Sequence, residues 1–310
     1  MSLPGRPPVR LPLKPLLLVL GIAATVYAMA LALFGERSAW ATMQGLASLA
    51  GLQAAALCLL NYLLRGLRWR AWMAHYGRPM KVAEALRLYL AGYTFTPTPG
   101  NIGEAARGLL LARQPLSATQ SLAIFGAERL ADLVCLLLLC LPVAWWLARL
   151  GGPGLAAGLL VLAVLAVSAA LVLLYTFRQR LLRRLGWLQE AWTCLYTRPL
   201  RWLGLTLVAW IAQGLAVWLL CREAGLPLTA MEATGFYAVA MVGGALSLLP
   251  AGLGGMEALL TAMLVAQGAS AAAALGITVQ VRLVTLWLAV AIGALALVYS
   301  AAIRKDISFR

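Results

Sequence analysis

FTPTPGNIGEAARGLLL (Phe95–Leu111) and LLPAGLGGMEALLTAML (Leu248–Leu264) are two apolar stretches interrupted by proline and glycine. An offset of 153 residues superimposes them, aligning Pro97 with Pro250, Glu104 with Glu257 and, in the apolar run that follows each, Arg129 with Arg282. In both, glutamate comes seven residues after the proline and arginine 25 residues after the glutamate. The first break contains Pro97, Pro99, Gly100 and Gly103; the second contains Pro250, Gly252, Gly254 and Gly255. A helix interrupted at membrane depth beside ionisable groups is where membrane carriers hold substrate. The plainer alternative is a pair of interhelical loops whose glycines allow close packing.

The rest of the chain supplies the solvent for such a motif. Of its 310 residues, 63% are hydrophobic and 11% charged, and the mean hydropathy is +0.88. A soluble domain of this length has too little interior to hide that much apolar side chain, so the surroundings are lipid. The net charge of +15 comes from 25 Lys and Arg against 10 Asp and Glu. These bases lie between apolar segments, which points to topology and anionic headgroups rather than nucleic acid. The five cysteines have no CxxC spacing and His75 stands alone among bases, so no disulfide framework, metal site or cofactor is expected.

Apolar windows predict full crossings near 15–34, 46–66, 117–149, 154–176, 202–221 and 275–303. The first is read as a retained helix rather than a cleaved leader. Between the crossings lie shorter pairs, 82–96 with 104–113 and 230–249 with 255–267. At ~1.5 Å per residue the first pair reaches only about 22 Å and 15 Å, short of a bilayer, and both pairs are read as re-entrant hairpins. The basic clusters at Arg6–Lys14, Arg65–Lys81, Arg178–Arg184 and Arg304–Arg310 are assigned to the cytoplasm, with both termini inside. Residues 178–200 read as an amphipathic helix on that surface. The expected fold is therefore an all-α integral membrane protein, one polytopic domain over 1–310. Its halves, about 15–150 and 154–303, each hold three crossings and one hairpin, so an odd count inverts the second half. Gly51 with Gly204, Leu52 with Leu205 and Thr94 with Ser247 also fall in register.

Within this frame the charged residues select themselves. Glu128, Arg129 and Asp132 stand about 18 Å into their helix, where unpaired charges cost several kcal/mol. They serve either as a buried salt-bridge cluster or as the wall of a polar cavity. Arg282 occupies the matching place in the second half, with Glu257 its natural partner as Glu104 is for Arg129. Two arginines approaching from opposite halves suit one phosphate, which a guanidinium binds through two parallel donors. Helices expected near Ile102 and Gly254 would add free N–H groups, although Glu104 and Glu257 could instead cap them. Asn61 and Arg65 are the deeper residues of the second crossing and suit a headgroup entrance; Arg68 and Trp69 read as snorkelling and belt residues. Arg107, near Glu104, either pairs with it or extends the basic path. No Walker-type lysine follows either glycine turn, so ATP is not indicated.

Taken together, Asn61…Arg65-x-x-Arg68-Trp69, Pro99-Gly100-x-x-Gly103-Glu104-x-x-Arg107, Glu128-Arg129-x-x-Asp132, and Leu249-Pro250-Ala251-Gly252-x-Gly254-Gly255-x-Glu257 followed by Arg282 resemble the flippase-like family. That family comprises the transmembrane region of bacterial lysylphosphatidylglycerol synthase/flippase and its stand-alone relatives. The resemblance covers about residues 15–303. It implies an inner-membrane protein that moves a phospholipid or lipid-linked headgroup, of aminoacyl-phosphatidylglycerol or polyprenyl-phosphate type, between leaflets. A membrane subunit of a headgroup-modifying enzyme is the alternative. No soluble aminoacyltransferase domain follows residue 310, so aminoacyl transfer is not carried over. Membrane lipid is the expected partner; a second copy or a separate lipid-modifying enzyme is left open.

Overall fold

The structure is a computed structural model that describes residues 9–11, 21, 25, 44–96, 98–108, 115–143, 146–147, 154, 158, 172, 176, 186–247, 249–303 and 307–309. The expected crossings 15–34 and 154–176, Pro97 and the Arg178–Arg184 cluster lie wholly or mostly outside these residues. Within them the chain is helical apart from a three-residue parallel pair, β1 (Val9–Leu11) with β2 (Ile307–Phe309), which joins the two ends of the chain.

The first half begins with α1 (Leu49–His75), whose 27 residues reach about 40 Å. Its start is capped by the Ser48 hydroxyl, which accepts the Gly51 N–H. Then come α2 (Val82–Gly92), a 3-10 turn at Tyr93–Phe95, a 3-10 segment at Pro99–Ala105, and α3 (Ala118–Leu139). The second half runs from α4 (Gly186–Tyr196) through α5 (Pro199–Glu223), α6 (Ala230–Leu246), a 3-10 turn at Pro250–Gly252, α7 (Gly255–Ala266) and α8 (Ala271–Arg282). A π-helical segment (Leu283–Trp287) joins α8 to α9 (Leu288–Ile303).

Three described helices are long and apolar enough to cross a membrane: α1, α5 and the continuous run Ala271–Ile303. The α3 helix, at 22 residues, is shorter than these but still long enough to span, and Glu128, Arg129 and Asp132 interrupt its apolar face. By contrast α2 and α7, with 11 and 12 residues, reach about 17 and 18 Å and are too short to span.

One expectation is corrected at the first break. In place of an α-helix starting near Ile102, the chain takes the 3-10 segment from Pro99 to Ala105. Proline at its first position lacks the N–H, and Asn101 is left-handed at φ 56°, so no α-helix begins at 102. Gly254, 153 residues after Asn101, is also left-handed (φ 83°) and forms the N-cap of α7. At the same offset Ser117 caps α3 and Ser270 caps α8, each through its hydroxyl.

Packing follows that correspondence. The α1 and α5 helices lie against each other at the centre; α2 packs on α9 while α6 packs on α3; and the two 3-10 breaks touch. At the α2–α9 crossing Gly293 lets the backbones meet, since a Cβ there would fall 2.8 Å from Leu90 O and from Thr94 N. The α4 helix buries Ala191 and Cys194 and exposes Trp192 and Tyr196; residues 178–185 of the expected amphipathic segment lie outside the described residues. Its start packs on α3, with the Trp187 ring over Gly126.

Candidate functional site

Between α1, α3, α5, α6 and the two breaks lies a cavity of about 380 Å³. Arg65, Arg129, Arg282, Glu104, Asp132 and Gln213 line its polar side; Leu136, Met241, Val242, Ala245 and Leu286 line its apolar side. Leu133 and Leu246, 43% and 77% exposed, also border it, so its apolar margin opens on the exposed surface between α3 and α6.

A chain of ion pairs runs along the polar wall. Asp132 is its centre. Arg65 Nη2 lies 2.5 Å from Oδ2, Arg68 Nη1 2.9 Å from Oδ1, and Arg129 Nη2 3.2 Å from Oδ2. Trp210 Nε1 donates to Oδ1 at 3.3 Å, and the Arg65 guanidinium stacks over the Trp210 ring. Arg68 also donates to Thr206 Oγ1 at 2.7 Å. A second node is Glu104, which accepts from Thr96 Oγ1 at 2.9 Å and from Arg107 at 2.7 Å, with Arg129 Nη2 at 3.6 Å. Arg107 bridges onward to Glu128 at 3.2 Å and stacks over Tyr89. In the second half Arg282 grips Glu257 with Nε at 2.8 Å and Nη2 at 3.1 Å, and donates to the carbonyls of Ala251 and Gly252.

Charge counting distinguishes members of this network. Four arginines (65, 68, 107, 129) face three carboxylates (Glu104, Glu128, Asp132), which leaves one positive charge in excess. Arg129 is the cation most available to supply it. Its side chain is 31% exposed, against 9% or less for the other three, and its Nε and Nη2 make no hydrogen bond among the described residues. The excess positive charge, together with the exposure of Arg129 at the cavity wall, favours an anion there.

The structure thus brings Arg129, Arg282, Glu104, Asp132 and Arg65 to one cavity wall. It sets Asn61, Arg107 and Glu128 behind that wall: Asn61 is fully buried and donates to Ala209 O, tying α1 to α5. Glu257 is directed to Arg282, and Glu104 to arginines and Thr96, which corrects the alternative of Glu104 as a first-turn cap. Among the glycines of the breaks, Gly252 contributes its carbonyl to Arg282 and Gly254 its left-handed turn. Gly255 abuts Ser247, and Gly103 sits against Phe95 and Thr98. Pro99, Gly100 and Pro250 are described by backbone alone, within the 3-10 segments.

Arg68 and Trp69, read from sequence as surface residues, are each 1% exposed. The i, i+3 spacing of Arg65 and Arg68 aims both at Asp132, so pairing rather than snorkelling disposes of the charge. The cavity residues Tyr62, Trp210, Gln213 and Tyr237 escaped the sequence reading. For Gln213 a signal existed: it is a polar residue in the middle of the apolar α5.

The family described as Lysylphosphatidylglycerol synthase TM region matches this sequence over residues 16–293. No curated protein and no solved structure matched it. The match spans both breaks, the acidic and basic residues of α1 and α3, and the Arg282 clamp: the chain belongs to the lysylphosphatidylglycerol synthase transmembrane-region family.

Proposed function

We propose that this protein is a lipid flippase that passes the headgroup of an anionic or zwitterionic phospholipid, or of a polyprenyl-phosphate-linked lipid, through the cavity between its halves. The observation that carries this reading is the meeting of Arg129 and Arg282, one from each half, on the wall of one cavity with an apolar, exposed margin. Its ≈ 380 Å³ falls at the small end of ligand pockets, roughly 300–1,000 Å³. That is room for a polar headgroup while acyl chains stay in hydrocarbon past Leu133 and Leu246. Arg129 holds the phosphate; Glu104 and Asp132 orient the guanidinium and receive an amine if the headgroup carries one.

In this proposal the halves form an inverted repeat and the short arms α2 and α7 belong to re-entrant hairpins. Support comes from the shared 153-residue offset of the left-handed pair Asn101/Gly254 and the caps Ser117/Ser270, and from the reciprocal packing of α2 on α9 and α6 on α3. Both termini lie on the cytoplasmic side of the inner membrane, an assignment supported by the basic clusters and by the β1–β2 pair.

Purified protein in proteoliposomes, with leaflet-selective chemical labelling of the lipid, tests the reading. The wild type moves labelled headgroups between leaflets, and Arg129→Gln slows this at unchanged protein level. Equal rates for both would refute it. Lipid analysis of a deletion strain separates the alternative: a species that disappears points to an enzyme subunit, one trapped in a single leaflet to a flippase.

A further inference from the structure

A second cavity, of about 300 Å³, lies where the C-terminal turn of α1 meets the N-terminus of α5. Both helices are long enough to span, and their opposed ends share this space, so it sits at the membrane surface. His75, on its wall, is ten residues beyond Arg65 on α1, about 15 Å along the helix, which separates it from the central cavity.

Its lining is cationic. Arg68, Arg70, Arg198 and Arg201 contribute four guanidinium groups, and no Asp or Glu lines it among the described residues. Arg68 forms the inner wall, 1% exposed, with its charge already held by Asp132 at 2.9 Å and Glu128 at 3.8 Å, so the charge left to this cavity comes from Arg70, Arg198 and Arg201. Arg70 gives its Nε to Met80 O at 2.7 Å, which orients the rest of the guanidinium. Thr197 Oγ1 donates to Thr193 O at 2.9 Å and lies 3.3 Å from His75 Nδ1. Arg198 occupies the N-cap of α5 with no side-chain hydrogen bond to the helix, and the helix's positive end adds to the same field.

The surroundings are those of an interface. Trp192 and Tyr196 on α4, their ring centroids 5.5 Å apart and their planes tilted by 54°, are 58% and 72% exposed; Leu200, beside Arg201, is 84% exposed. In the cavity wall itself Trp72, Trp202 and Leu205 stand beside the arginines, a lining that matches a molecule with a phosphate at one end and hydrocarbon at the other. We propose that this cavity is a second lipid site, which takes the phosphodiester of an anionic phospholipid at the membrane surface. It is independent of the central cavity's proposed role: it needs the arginines at the helix ends and not Arg129.

The full chain, purified in detergent, is titrated with phosphatidylglycerol, with phosphatidylcholine and with inorganic phosphate, and bound molecules are counted by native mass spectrometry. The expected result is that Arg198→Glu/Arg201→Glu weakens phosphatidylglycerol binding at one site by about tenfold or more, since each basic residue near an anionic lipid contributes appreciably. Arg198→Lys/Arg201→Lys retains most of that affinity, which separates loss of the site from loss of the fold. Arg129→Gln leaves this site's affinity unchanged. The proposal is overturned if the double glutamate variant binds phosphatidylglycerol as the wild type does, or if phosphatidylcholine binds equally. It is likewise overturned if inorganic phosphate at millimolar concentration displaces the lipid, which would make this a free-phosphate site. Unaltered transport by Arg129→Gln would refute the flippase reading and leave this one standing.

Discussion

Arg282 and Glu257 form a closed two-pronged ion pair, 2.8 and 3.1 Å, while the matching residues of the first half, Arg129 and Glu104, stand 3.6 Å apart and share their charge with three other side chains. One pair therefore secures a break in the helix; the other leaves a guanidinium open to the cavity. Arg129→Gln is expected to reduce lipid translocation by about tenfold or more, as loss of a charge-assisted contact to phosphate does, with little change in thermal unfolding. Arg282→Gln is expected to lower stability by roughly 2–4 kcal/mol, because it removes the two-pronged ion pair to Glu257 and the charged donor to two carbonyls. Thermal unfolding in detergent beside a proteoliposome assay distinguishes the two.

Asp132 holds Arg65, Arg68 and Arg129 and accepts from Trp210. Asp132→Ala leaves three guanidinium groups without their shared counter-ion in a buried setting. The expected cost is on the order of 3–5 kcal/mol, enough to abolish a monodisperse peak in size-exclusion chromatography. Asp132→Glu, which keeps the charge, restores the peak in part.

Ala251 is left-handed, at φ 53° and ψ 18°, a conformation that costs a residue with a Cβ about 1–2 kcal/mol. Replacing it with glycine removes that strain, while the freer unfolded chain gives back about 0.4–1 kcal/mol. Ala251→Gly is thus expected to raise stability by up to about 1.6 kcal/mol. Gly254→Ala, at φ 83°, acts in the opposite direction. A fall in melting temperature for Ala251→Gly would show that this turn differs in solution.

At the α2–α9 crossing, Gly293→Ala places a methyl against the Leu90 carbonyl and the Thr94 amide. Backbone atoms yield less readily than side chains, so the helices must part, at about 1–3 kcal/mol. The same substitution at Gly204, where a Cβ meets nothing within 4 Å, is expected to be neutral or mildly stabilising. Parallel unfolding curves of the two variants provide the comparison.

The repeat was legible because proline, glycine and buried charge are rare in lipid and their spacing survives as a pattern: Glu104 to Arg129 and Glu257 to Arg282 are the same 25 residues apart. The pairing of Arg282 with Glu257 followed directly from it. Arg68 was misread because an arginine near the end of an apolar run snorkels when nothing opposes it, and its opponents Asp132 and Thr206 come from 64 and 138 residues away. Tyr62, Trp210 and Tyr237 carry no spacing signal, since aromatic residues in apolar helices face lipid, core and cavity alike.

Composition and periodicity by themselves determined the membrane environment, the helical class, the two interrupted segments and the arginine–glutamate partners, since each follows from the cost of placing polar groups in hydrocarbon. Only tertiary packing decided which arginine stays open. Arg65, Arg68, Arg107 and Arg129 are chemically identical, and the three carboxylates available to them satisfy the first three more fully than the fourth. That inequality arises from how α1, α3 and the first break converge in space, a property of distances and angles that no linear spacing encodes.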